Sequence, residues 1–349
     1  MKKTFFIIVL LAGMLTAMAD TAPYIGFRHK LLNTDNGLPT NYITTMVQDN
    51  LGYIWMATTN GLARYDGYGV QTYRHEDKGN ELLLRNRIRN LYMNPNGLML
   101  IRLQHDQYSC YDTNRQRFVD FTGGQYDMQA SYRECQFMKN GDTWLWSKLT
   151  GALRIRYQTG GDISARLLSE SGGELTSNDI TFISEDVAGT VWIGTVKGLY
   201  AMRGDLLTCA NSNEAFNFTI TMPQGQYFTN ADGVLYRAGK DGRLQQMTHL
   251  KEQMREKAGI WGLVRKGDRL VVVTNRVTYE LDLATRQLSV CQDIQAPQGR
   301  VKHDNRDNTY ITDANGKVWY IDRQTGRVLS IQAYSPEQLT QVQEAPAAS

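Results

Sequence analysis

Apolar and polar residues alternate along this chain in short runs, and the clearest stretch extends from Gly37 to Gly67. "YITTMVQD" from Tyr42, "YIWMATT" from Tyr53, "LARYD" from Leu62 and "VQTYRH" from Val70 follow one another with turn residues between them. A period of two is the signature of a half-buried strand, so the segment predicts four short antiparallel strands. Asn50, Leu51 and Gly52 make the first turn, and Asn60-Gly61 reads as a two-residue hairpin connection of type I′. Two-residue alternation dominates over helical periodicity, which excludes a solenoid of helix pairs. Glu81 to Met93 has a helix-like reading, but it aligns with the first strand of a repeat and is placed there.

The pattern recurs. "LPTNYITTMVQDNLGYIWMATTNGLA" from Leu38 lies without a gap on "LTSNDITFISEDVAGTVWIGTVKGLY" from Leu175, 137 places on, with ten of 26 positions identical. Asp49, Gly52, Trp55 and Gly61 match Asp186, Gly189, Trp192 and Gly198. An offset of 137 is three steps of about 46, and weaker copies stand between, at Asn86 and at Glu134. Three fainter units follow, near Gly225, from Trp261 and from His303. Seven units of four strands predict an all-β fold, a seven-bladed β-propeller of four-stranded antiparallel blades, over residues 20–334. Two segments compete for the outer strand of the last blade, "YIGFRHKLL" from Tyr24 and "RVLSIQAY" from Arg327, and the N-terminal one is favoured here.

The ends and the composition add less. Lys2 and Lys3, an apolar run from Phe5 to Leu15 and the small-residue pattern Ala17-Met18-Ala19 read as a signal peptide over residues 1–19, cleaved before Asp20. That implies export, and residues 335–349 read as a polar tail or the start of a linker. A net charge of +3 offers no basic stripe and no case for nucleic acid. Cys110, Cys135, Cys209 and Cys291 show no CxxC spacing. One disulfide, Cys110 to Cys135, is allowed between neighbouring units, while buried thiols fit the apolar surroundings better.

The units at Leu38 and Leu175 resemble the two-component regulator propeller repeat, which builds the periplasmic sensor region of hybrid two-component systems in Bacteroidetes. The resemblance is strong in these two units, weaker at Asn86 and Glu134 and thin after Met202, and it covers a first propeller only. It implies a periplasmic, ligand-sensing module that responds to an oligosaccharide and controls polysaccharide utilisation. It also implies partners: a glycan fragment, and a second propeller, a β-sandwich and a membrane kinase region in cis or in trans, in an arrangement compatible with a dimer. A secreted propeller enzyme acting on glycans and a protein-interaction scaffold are the rival readings, since fold alone does not decide function.

No residue pattern reads as catalytic, and no cofactor or metal is expected. Asp49 and Asp186 recur at one repeat position before a glycine, where an aspartate binds its own backbone. His29, His75, His105, His249 and His303 fall at unrelated positions with no ligand spacing. Trp55, Trp144 and Trp192 read as packing between blades rather than a sugar platform. The better site candidates are unrepeated residues at the entrance of the inner strands, Tyr42, Arg85, Arg87, Arg133, Asp179 and Trp261, placed to line one mouth of the central channel. Arginine offers a forked donor to carboxylate or sulfate, and aromatics stack on sugar rings.

Overall fold

The computed structural model describes residues 31–332 apart from 158–160, 240, 297, 304–308, 314–315 and 323–324, so the segment read as a signal peptide lies outside the described residues. Seven four-stranded antiparallel sheets follow one another in chain order, each with its strands in sequential order. Blade 1 is Ile43–Gln48, Ile54–Thr58, Gly61–Tyr65 and Val70–Tyr73. The first strands of blades 2 to 7 are Ile88–Met93, Glu134–Phe137, Ile180–Glu185, Phe216–Met222, Ile260–Lys266 and Arg300–His303. First strands of successive blades approach one another, in blades 1 and 2, 4 and 5, 5 and 6, and 6 and 7. The helix-like stretch is Ile88–Met93 in strand form, preceded by turns.

The core sits between the blades because one sheet face cannot bury itself. Six hydrophobic clusters each span two successive blades, from the Trp55, Leu91 and Tyr111 cluster of blades 1 and 2 to the Val271, Ile311 and Trp319 cluster of blades 6 and 7. A further cluster of Leu38, Met56 and Ala63 covers the other face of blade 1. Trp55, Trp144, Trp192 and Trp319 are all 1% exposed or less, so the tryptophans of the repeat are packing residues. An indole of this kind removes about 150–250 Å² from water.

Two expectations change. The outer strand of blade 7 is Val328–Gln332, paired with Lys317–Ile321, so the C-terminal strand is not displaced by the segment from Tyr24, which lies almost wholly outside the described residues. A contiguous hairpin joins these two strands across a short connection, a closure that costs less chain entropy than recruiting residues some 300 positions away. The hairpin at Asn60-Gly61 is also shifted by one residue. Gly61 pairs with Thr58, which leaves Thr59 and Asn60 as the connection, and neither has positive φ as a type I′ turn requires. Thr58 Oγ1 instead accepts from the Asn60 amide at 3.1 Å and donates to the Gly61 carbonyl at 2.7 Å. Gly61 takes φ of +123°, and a Cβ there would stand 2.8 Å from the Tyr73 carbonyl oxygen. Thr195 and Thr274 close the same hairpin in blades 4 and 6.

Candidate functional site

Antiparallel order puts the start of every first strand, the connection between second and third strands and the passage to the next blade on one face of the ring. Five first strands carry an extra residue just inside that face. The register skips at Thr44, Arg89, Thr181, Asn217 and Trp261 in blades 1, 2, 4, 5 and 6. A bulge of this kind bends the strand and re-aims one side chain, which is why bulges gather at rims and sites. In two blades the re-aimed side chain serves the frame. Thr44 Oγ1 donates to the carbonyl of Ile88 at 3.2 Å, and Thr181 Oγ1 donates to the carbonyl of Phe216, each tying its blade to the next. Among the described residues no such tie forms at Arg89, Asn217 or Trp261.

A cavity of about 540 Å³ opens at this mouth over blades 3 to 6. Arg133, Glu134 and Lys148 enter it from blade 3, Asp179 and Phe182 from blade 4, Asn217 and Phe218 from blade 5 and Ile260 from blade 6. Phe182 stands where blade 1 has Thr45. It finds room because the cross-strand neighbour is Gly194, whose absent Cβ the phenyl ring occupies, and it stacks on Phe228 with ring centroids 6.1 Å apart. The cavity therefore has an aromatic floor where the strong first repeat has a hydroxyl.

Of the residues singled out in the sequence, Arg133 and Asp179 meet in this cavity. Trp261 stands beside its lining residue Ile260, 45% exposed, which is high for an indole on an inner strand. Its Nε1 lies where a Cβ on Gly259 would stand 3.8 Å away. Tyr42, 66% exposed, and Arg87 occupy the same strand-start position on blades 1 and 2 but do not line the cavity. Arg85 donates to Gln107 Oε1 at 2.8 Å, a local bond to a neighbouring hairpin. Lys148, Asn217 and Phe218 were missed. The first lies in a hairpin tip, where sequence carries no directional signal, and the second betrays itself only by the phase break that a bulge makes in the alternation.

The opposite mouth holds a second cavity of about 930 Å³, lined by the strand ends, among them Met46, Tyr92, Met93, Phe137, Met138 and Glu185. The recurrent aspartates face neither cavity. Asp49 Oδ1 accepts from the amides of Leu51 and Tyr53, both at 2.9 Å, while Oδ2 accepts from Trp55 Nε1 at 2.7 Å. Asp186 repeats this with Ala188, Thr190 and Trp192, each at 2.9 Å. Asp313 opens the same turn in blade 7, six residues before Trp319, a third copy that the faded sequence pattern hid. The carboxylates of Asp49 and Asp186 each hold a turn and an indole.

All four cysteines are free, Cys110 and Cys291 among them buried. Burial pushes the thiols of Cys110 and Cys135 far up, so neither is a thiolate at neutral pH. Among the described residues no group of three or more His, Cys, Asp and Glu side chains is placed to hold a metal ion. His75 Nδ1 bonds to the Leu83 carbonyl at 2.8 Å, His249 stands 3.8 Å from Glu252, and His105 occupies a left-handed turn. His29 and the side chain of His303 lie outside the described residues. No helix among the described residues is long and apolar enough to cross a membrane.

Residues 37–60, the first two strands of blade 1 and the segment leading into them, match the family model of the two component regulator propeller. No curated protein matches the chain. Among solved structures, Sqt1 of Saccharomyces cerevisiae is similar in fold at 8% identity, with a TM-score of 0.53 over 84% of this chain and 86% of that one. The extracellular domains of BT4673 and BT3049 from B. thetaiotaomicron, both named as hybrid two component systems, match at 15% identity with TM-scores of 0.44 and 0.30. They cover 84% and 89% of this chain but only 45% and 55% of their own length, so the chain spans about half of each. The first blade of this seven-bladed ring thus carries one copy that matches the two component regulator propeller repeat.

Proposed function

We propose that this chain is the exported ligand-binding propeller of a hybrid two-component system, that its ligand is an oligosaccharide, and that binding controls polysaccharide utilisation. The observation that carries the reading is the cavity at the strand-start mouth, of a size suited to a small ligand and lined by aromatic, carboxylate and arginine side chains drawn from four blades. Aromatic faces stack on sugar rings, and carboxylates and arginines meet hydroxyls with directed hydrogen bonds. The last described strand, antiparallel to its neighbour, ends on the same face of the ring as the cavity. A ligand held there touches whatever domain follows, and it biases the arrangement of domains by its differential affinity for the two states. A second propeller, a β-sandwich and a membrane kinase region, in cis or in trans, are the partners such a mechanism needs.

Calorimetric titration of the purified chain with a panel of neutral and acidic oligosaccharides tests the reading. Saturable binding to at least one member is expected, with no new reducing ends or unsaturated products after long incubation. New reducing ends or unsaturated products support the secreted-enzyme alternative instead, and silence across the panel overturns the glycan reading.

A further inference from the structure

The charges around the strand-start mouth are unevenly placed. Arg87 and Arg133 hold the same strand-start position on adjacent blades, Arg89 is the bulged residue of blade 2, and Lys148 tips the hairpin above Arg133. Among the described residues, Arg87, Arg133 and Lys148 meet no carboxylate within ion-pair distance. Arg89 reaches only Asp106, at 3.9 Å, and that carboxylate is already held by Arg102 at 2.6 Å. Some arginines elsewhere on the ring are neutralised. Arg154 and Arg156 both engage Asp142 and Asp205, and Arg269 engages Glu280 and Asp282. An arginine and a lysine without a carboxylate partner in the lining of one cavity offer an anion a forked donor and a second charge.

The shape of the rim adds the second half of the argument. The strand-start position carries Tyr42, Arg87, Arg133 and Asp179 on blades 1 to 4 but Ala215, Gly259 and Gly299 on blades 5 to 7. One side of the mouth is thus fenced by long polar side chains and the other is open, with the half-exposed Trp261 standing on the open side. A single compact anion needs no such opening. A chain of sugar rings does, with one acidic group on the cationic side and further rings passing over the indole.

We infer that the strand-start cavity selects an acidic oligosaccharide, one bearing carboxylate or sulfate, with Arg133 and Lys148 receiving the anionic group. Glu134 and Asp179, which also enter the cavity without ion-pair partners, accept from ring hydroxyls. This rests on the glycan reading above and narrows it. The Arg133 guanidinium offers two parallel donors to either anion, so it fixes orientation as well as charge.

The test is calorimetry on the purified chain with three probes of equal length: an oligogalacturonide, a sulfated chondroitin oligosaccharide and a neutral xylo-oligosaccharide. At least one acidic probe is expected to bind about tenfold or more tighter than the neutral one, and more weakly as salt is raised. The double variant Arg133→Ala, Lys148→Ala is expected to remove that preference while leaving the urea midpoint unchanged. Arg243→Ala, at a 91% exposed guanidinium on the opposite face, is expected to leave binding unchanged. Binding by the oligogalacturonide alone identifies carboxylate, and binding by the chondroitin probe alone identifies sulfate. A neutral probe that binds as tightly as both acidic ones overturns the inference but leaves the glycan reading standing. A preference that survives the double variant removes Arg133 and Lys148 from the site, and no binding by any probe overturns both proposals.

Discussion

Blades 4 and 3 pack against each other in one cluster and share one cavity, yet they secure their first turns by different chemistry. In blade 4 the Asp186 carboxylate accepts from two backbone amides and from the Trp192 indole. In blade 3 the equivalent position is Met138, and Trp144 Nε1 is buried without a partner. The Arg154 guanidinium lies 5.9 Å from the Trp144 ring, salt-bridged to Asp142 and also bonded to Asp205 at the tip of a blade 4 hairpin. The backbone turn is nevertheless the same, with the amide of Asp186 bonded to Thr190 and that of Met138 bonded to Asp142. The comparison teaches that the aspartate is one solution to closing a blade, and that an ion pair reaching into the next blade is another.

Among truncations to alanine, the largest effect is expected from Trp192→Ala, which opens a cavity between blades 4 and 5 and costs about 3–5 kcal/mol in urea unfolding. A loss below about 1 kcal/mol would contradict its place in the core. Next comes Arg154→Ala. It leaves Asp142, 6% exposed, with only the half-buried Arg156 at 3.6 Å and is expected to cost about 3 kcal/mol, whereas Arg154→Ala in an Asp142→Ala background costs much less. Asp186→Ala leaves two amides and an indole without their acceptor, for a loss of about 2 kcal/mol. Equal losses for Asp186→Ala and for the solvent-exposed Asp241→Ala would end the claim that the carboxylate closes the blade.

Met138→Asp is the sharper probe of equivalence. Trp144 Nε1 and the turn amides stand ready to receive a carboxylate, so the change is expected to cost about 1 kcal/mol, while Leu145→Asp in the same blade has no such donors and prevents folding. Comparable damage from both would show that the two turns are not interchangeable. The smallest effects belong to the mouth. Trp261→Ala and Arg133→Ala are expected to shift stability by no more than about 0.5 kcal/mol, because neither side chain is packed into a core cluster. A loss of several kcal/mol at either would assign that residue to the frame.

Much of the frame was legible because a repeat states its structural demands more than once. Asp49, Trp55 and Gly61 are identical in the copy beginning at Leu175, and each has a mechanical task in both blades. The third turn aspartate, Asp313, escaped because the residues around it had drifted while the turn had not. The type I′ assignment failed for a related reason. A dipeptide ending in glycine fits more than one turn, and the pairing of Thr58 with Gly61 decided which. At the mouth, Arg133 and Asp179 could be singled out as departures from the repeat, but nothing in the alternation told them apart from Tyr42 and Arg87, which the cavity leaves aside.

By itself, then, the sequence determined the number of blades, most of the strands within them and the aspartates that hold the first turns of blades 1 and 4, since these follow from local periodicity and short-range hydrogen bonds. Only the tertiary structure decided which strand completes the last blade, which residues the bulges turn toward the mouth and which charges remain unpaired there. Those outcomes depend on neighbours tens of residues away around the ring, and a pattern of period two carries no record of them.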